Sequence, residues 1–135
     1  LKIAADFALS GADTSKFDAV LLPGGGPGVQ RLKASADVER VVSDFNDKNK
    51  WIFAICAAPL VLSKAGLLVD RTATCFPGCV EELVCNKFVE DRVVVDGNIV
   101  TSRGAGTAEE FAFECIAQLG GRDLSEKIRK QVVAR

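Results

Sequence analysis

With 135 residues the chain is the size of one domain, residues 1–135, and long enough to bury a sizeable core. Its 17 basic and 18 acidic side chains leave a net charge of −1, so no basic face recommends nucleic acid as a partner. No apolar run approaches the roughly 18 residues of a membrane span, and no signal-peptide pattern opens the chain; a soluble, cytoplasmic domain with no membrane partner is expected.

Strand-like and helix-like segments alternate, which predicts an α/β domain with a mostly parallel sheet covered by helices. Lys2 to Leu9 reads as a short strand. Phe17 to Leu22 reads as a buried strand ended by Pro23 and three glycines, with a helical stretch after them. Asp37 to Lys48 places Val38, Val41, Val42 and Phe45 at helical spacing, with Asp37 as cap or first-turn acid.

Trp51 to Ile55 is a strand that stops at Cys56, and a helix from Ala57 to Ala65 begins at once, with Pro59 in its first turn and Gly66 at its C-terminal end. A strand, a nucleophile, small neighbours and a helix spell a nucleophile elbow, a tight turn that projects one side chain above the sheet. The helix start beside Cys56 would favour thiolate over thiol. The plain alternative is a buried core cysteine at a strand end.

Arg71 to Cys75 reads as a strand and Cys79 to Cys85 as a short helix. Val93-Val94-Val95, Asp96-Gly97 and Asn98-Ile99-Val100 read as a hairpin by turn chemistry. Thr107, an N-cap residue, opens a helix to Leu119, and Ser125 to Val133 is a last amphipathic helix.

Two strand ends besides Cys56 carry chemistry. The loop Pro23-Gly24-Gly25-Gly26-Pro27-Gly28 lacks the Gly-Lys-Ser/Thr ending of a phosphate cradle, and Pro27 removes a backbone donor. It fits either a close backbone approach that aims the N–H of Gly25 or Gly26 at an oxyanion beside Cys56, or a plain tight turn. Thr101-Ser102-Arg103-Gly104-Ala105-Gly106-Thr107 is a second strand-to-helix turn. Its Arg103 could anchor an anion, tie the loop to an acid or a second subunit, or simply be solvated.

The chain has no histidine, so no imidazole base is available to it, and no methionine, not even at position 1. Its five cysteines, Cys56, Cys75, Cys79, Cys85 and Cys115, are odd in number and irregularly spaced, which argues against a secreted disulfide framework. None forms a C-x-x-C pair, so neither a metal nor another cofactor is expected.

Leu22-Pro23-Gly24-Gly25, Ala54-Ile55-Cys56-Ala57-Ala58-Pro59 and Thr101-Ser102-Arg103-Gly104-Ala105-Gly106-Thr107, in that order, resemble the ThiJ/PfpI superfamily. Their order and separation also match its branch of parkinsonism-associated protein deglycases and bacterial thiazole-biosynthesis homologues. The resemblance runs from about Asp6 to Gly121. It implies a flavodoxin-like three-layer sandwich, a homodimer, a reactive Cys56, and backbone N–H groups of Gly25 and Ala57 beside it, with Gly24 and Arg103 in support. Family activities are glyoxalase and deglycase chemistry on methylglyoxal or glycated adducts, oxidative-stress sensing and chaperone action, so a small reactive carbonyl or glycated substrate is the implied partner.

The departures are specific. Family members begin with a strand and helix carrying a glutamate hydrogen-bonded to the cysteine, and the chain starts after that segment; an N-terminally incomplete domain is expected. Phe76 stands where many members place a histidine, so a Cys–His dyad is excluded there and a cysteine protease is disfavoured. Glu81 and Glu82 match no family catalytic position and read as solvated acids. A redox sensor or chaperone acting through Cys56 oxidation, without turnover, is the alternative function.

Overall fold

The computed structural model describes residues 3–134 and is organised around a four-stranded sheet. Its strands are β1 (Ala19–Leu22), β2 (Trp51–Ile55), β5 (Val93–Asp96) and β6 (Ile99–Ser102). They lie in the order β1-β2-β6-β5; the first three are parallel, and β5 returns antiparallel to β6. A separate parallel pair joins β3 (Thr72–Ala73) to β4 (Lys87–Phe88). The helices are α1 (Gly26–Ala34), α2 (Ala36–Asp47), α3 (Pro59–Lys64), α4 (Ala108–Gly120) and α5 (Arg122–Gln131).

Alternation along the strands divides the core in two. Leu22, Ile52, Ala54 and Ile99 pack with Val29 of α1, Val38, Val42 and Phe45 of α2, and Leu60 and Leu62 of α3. Phe53 and Val100 point to the other face, against Phe111 and Cys115 of α4. There Phe53 and Phe111 meet edge to face with centroids 6.5 Å apart. Each large side chain buried this way contributes about 1.5–3 kcal/mol of transfer free energy. A mostly parallel sheet flanked by helices is the α/β sandwich the sequence predicts. No helix among the described residues is long and apolar enough to cross a membrane.

Several boundaries differ from expectation. Residues 3–9 form no strand (Lys2 lies outside the described residues); Ile3 and Phe7 are exposed, and two 3-10 turns, Leu9–Gly11 and Thr14–Lys16, lead into β1. Strand character there finds no pairing partner among the described residues, and an unpaired strand is not a stable element. The helix expected from Asp37 starts one residue earlier because Ser35 caps it, its hydroxyl accepting from the Val38 N–H at 3.3 Å; Asp37 is a first-turn acid. Arg71 to Cys75 contributes only Thr72–Ala73 to a strand, and Cys79 to Cys85 is replaced by the 3-10 segment Pro77–Glu82. The hairpin turns at Gly97-Asn98 rather than Asp96-Gly97: Asp96 stays in the ladder opposite Ile99, and its carboxylate accepts from the Thr72 N–H at 2.7 Å. The last helix begins at Arg122, ahead of Ser125.

Candidate active site

Because β1, β2 and β6 are parallel, their carboxyl ends converge, and open α/β sheets bind ligands at that edge. Here they deliver Gly24, Cys56 and Arg103. Cys56 leaves β2 with φ of 66°, a left-handed conformation that costs a non-glycine residue about 1–3 kcal/mol. Neighbours over-determine it: its N–H donates to the Ser102 carbonyl at 2.9 Å, and its carbonyl accepts from the Phe76 N–H at 2.8 Å. Ala57 and Ala58 are buried behind it.

The β1 end fits against this turn by having no side chain. A Cβ on Gly24 would stand 2.6 Å from Cys56 Cβ, 3.0 Å from the Ile55 carbonyl oxygen and 3.2 Å from Cys56 Sγ, so only glycine allows so close a passage. Gly25, with φ of 98°, then opens α1. Among the described residues no internal hydrogen bond engages the N–H of Gly25 or of Ala57.

Gly24, Gly25, Ile55, Cys56, Ala105 and Ala108 line an open cavity of about 270 Å³. The thiol of Cys56 is the one titratable side chain in that lining. A larger cleft of about 460 Å³, between Phe17, Asp18, Ala19, Trp51, Gln118 and Leu119, lies at the amino ends of β1 and β2. Asp18 is its one titratable side chain and it holds no thiol, and it lies at the opposite end of the strands from the carboxyl edge, so the smaller cavity is the candidate site.

The Ala105–Ala108 wall is held from below. Ser102 Oγ donates to the Arg92 carbonyl at 2.7 Å and lies 2.6 Å from Thr107 Oγ1. Thr107 Oγ1 in turn accepts from the Gly104 N–H at 3.0 Å. Thr107 occupies the N-cap position of α4, yet its hydroxyl makes no cap bond, because these loop partners claim it. Spacing alone missed Ser102 and Ala105 as site-forming residues, although both sit inside the motif that drew attention to Arg103.

Arg103 does not line the cavity. It donates to the Glu90 carbonyl at 3.3 Å and pairs with the Glu90 carboxylate at 3.6 Å, so of the roles open to it the tie to an acid is the one present. Its side chain is 20% exposed, which rules out a simply solvated arginine. Phe76 gives its backbone to Cys56, and its ring reaches toward Gly104, where an added Cβ would lie 3.6 Å away. Glu82 is not merely solvated: it pairs with Lys33 of α1. Burial pushes the Cys75 thiol up to about 12, and Cys115 likewise to about 12, so neither is a nucleophile near neutrality.

The DJ-1/PfpI family model matches residues 1–118. The chain belongs to the DJ-1/PfpI family. It is 40% identical over 137 residues to protein DJ-1 homolog B of Arabidopsis thaliana, covering 100% of this chain and 31% of that protein. It thus spans about a third of the length of this plant relative. The crystal structure of Drosophila melanogaster DJ-1beta superposes with a TM-score of 0.94 at 36% identity, covering 100% of this chain and 74% of that one. A fission-yeast relative (Schizosaccharomyces pombe), 33% identical over 120 residues, is named glutathione-independent glyoxalase DJ-1; the match covers 87% of this chain and 62% of that protein. The DJ-1/PfpI likeness makes the sandwich flavodoxin-like.

Proposed function

We propose that the protein containing this chain is a cysteine-dependent glyoxalase or deglycase acting on methylglyoxal or glycated adducts, with Cys56 as nucleophile. The observation that carries the reading is the strained Cys56 at the head of a cavity bounded by Gly24 and Gly25. The thiolate adds to the aldehyde carbon and forms a hemithioacetal, the carbonyl π electrons moving onto oxygen. The unengaged N–H groups of Gly25 and Ala57 are assigned to that oxyanion, a contribution of about 3 kcal/mol per donor. A cavity of about 270 Å³ suits a substrate of few heavy atoms.

Converting methylglyoxal to lactate then requires a proton to move from the aldehyde carbon to the adjacent one, and water to release the product from sulfur. No lining side chain is a carboxylate or imidazole. The family resemblance places a glutamate beside the cysteine, and a carboxylate of that kind is the proton carrier this reading calls for. Homodimerisation and a cytoplasmic setting belong to the same reading. The lack of an acid–base side chain in the lining favours a second reading, an oxidation sensor acting through Cys56 without turnover.

Methylglyoxal consumption and lactate formation by the intact protein, wild type beside Cys56→Ala, test the first reading. Turnover that vanishes in Cys56→Ala supports it. Turnover that survives overturns it, and Cys56-dependent oxygen gain without turnover transfers the function to the sensor.

A further inference from the structure

Cys79 is the cysteine of the chain that the fold brings to the elbow without burying it. Two consecutive backbone hydrogen bonds carry it there. The Phe76 N–H donates to the Cys56 carbonyl, and the Cys79 N–H donates to the Phe76 carbonyl, both at 2.8 Å. Cys79 therefore sits within one 3-10 turn of the backbone that grips Cys56. Both thiols are half-buried. The remaining cysteines are worse placed. Cys75 is fully buried, Cys115 belongs to the core on the opposite face of the sheet, and Cys85 lies beyond the end of the Pro77–Glu82 turn.

We propose that Cys79 is the resolving partner of Cys56: after a peroxide oxidises Cys56, Cys79 closes an intrachain disulfide with it. The proposal rests on Cys56 being the reactive thiol. Cys56 thiolate attacks one peroxide oxygen and the O–O bond breaks, leaving a sulfenic acid and hydroxide, which is protonated to water. Cys79 then attacks the Cys56 sulfur as thiolate, the S–O bond breaks, and the departing hydroxide takes up the proton Cys79 released. Two thiols and one hydrogen peroxide thus give one disulfide and two waters.

The surroundings order these steps. Burial, then charge repulsion from Cys56 and Glu82, push the Cys79 thiol up, while Lys33 pulls it down. Sulfenic acid is neutral, so once Cys56 is oxidised no thiolate charge there opposes ionisation of Cys79. Closing the bond needs Cα atoms about 4.4–6.8 Å apart. The Pro77–Glu82 turn contains no fully buried residue, and Cys79 touches the core as a partly buried side chain, so a shift toward β2 gives up the contacts of that small side chain and leaves the buried core residues in place.

The test is peptide mapping of the intact protein after two equivalents of hydrogen peroxide, one more than the disulfide consumes and as many as a sulfinate requires. Cys56 falls in tryptic peptide 51–64 and Cys79 in 72–87; cleavage after Glu82 separates Cys79 from Cys85, and backbone fragmentation between Phe76 and Pro77 separates it from Cys75. The wild type should yield a cross-linked Cys56–Cys79 species about 2 Da lighter than the summed thiol peptides, reversed by dithiothreitol. In Cys79→Ser, Cys56 should instead proceed to a sulfinate about 32 Da heavier. Equal sulfinate at Cys56 in both proteins, with no cross-link, overturns the proposal while leaving Cys56 reactive. A Cys56 that neither gains oxygen nor cross-links overturns both.

Discussion

Two strand ends meet at the site, and each solves the same crowding differently. The β1 end gives up its side chain: Gly24 approaches Cys56 where no Cβ fits. The β2 end keeps its side chain and accepts strain, with Cys56 at φ of 66° under the grip of Ser102 and Phe76. Glycine would satisfy that backbone without cost, so the thiol is retained against the local conformational preference. Such an outlier, over-determined by its neighbours, supports the proposal that Cys56 is the functional position.

The sharpest way to break the comparison is Gly24→Ala. The new methyl meets backbone as well as the Cys56 side chain, so the strand ends must separate. We expect a loss of about 2–3 kcal/mol in denaturant unfolding, with Cys56 alkylation altered in parallel. Thr107→Val comes next. It strips the Gly104 N–H of its acceptor and Ser102 of a partner, at about 1–2 kcal/mol by the same measurement.

Two further substitutions, neither larger in effect, separate room from conformation. Gly25 has open space around it but φ of 98°, so Gly25→Ala should cost about 1–2 kcal/mol through backbone strain alone. At Cys56 the sign reverses: Cys56→Gly should unfold at higher denaturant than Cys56→Ala, by about 1 kcal/mol, while both lose thiol chemistry. Equal stability of the two would mean the turn is unstrained.

The smallest effect lies away from the site, whose lining carries no carboxylate. Burial acts to raise the Glu114 carboxyl, but hydrogen bonds from Arg122 and Gln118 outweigh it and hold it below its usual value of 4.5. A lowered carboxyl stabilises the fold above its unfolded value, and that stabilisation is lost as pH falls through the folded value. Glu114→Gln should therefore be slightly less stable than wild type at pH 7, the two curves converging on acidification. Urea unfolding across pH reads this directly.

Much of the architecture was legible in the sequence because its signals are local. The strand Trp51–Ile55 ends at a cysteine followed by small residues, and the α2 pattern of Val38, Val41, Val42 and Phe45 is purely periodic. What was not legible depends on partners distant in the chain. Residues 3–9 carry a strand pattern with nothing to pair against. The Thr107 hydroxyl reads as a cap until Ser102 and Gly104 are folded beside it. Gly24 looks like ordinary turn chemistry until Cys56 lies against it, and Glu82 looks solvated until Lys33 arrives from α1.

The central claim, that strain and a glycine-lined cavity single out Cys56 among five thiols, is tested most directly by site-resolved alkylation. The folded protein at neutral pH would receive less than one equivalent of iodoacetamide, and each cysteine would be quantified by peptide mapping. The account predicts label on Cys56 first, with Cys75 and Cys115 untouched until the chain unfolds. Label appearing first on Cys79 or Cys85, or a Cys56 that stays protected, would contradict it.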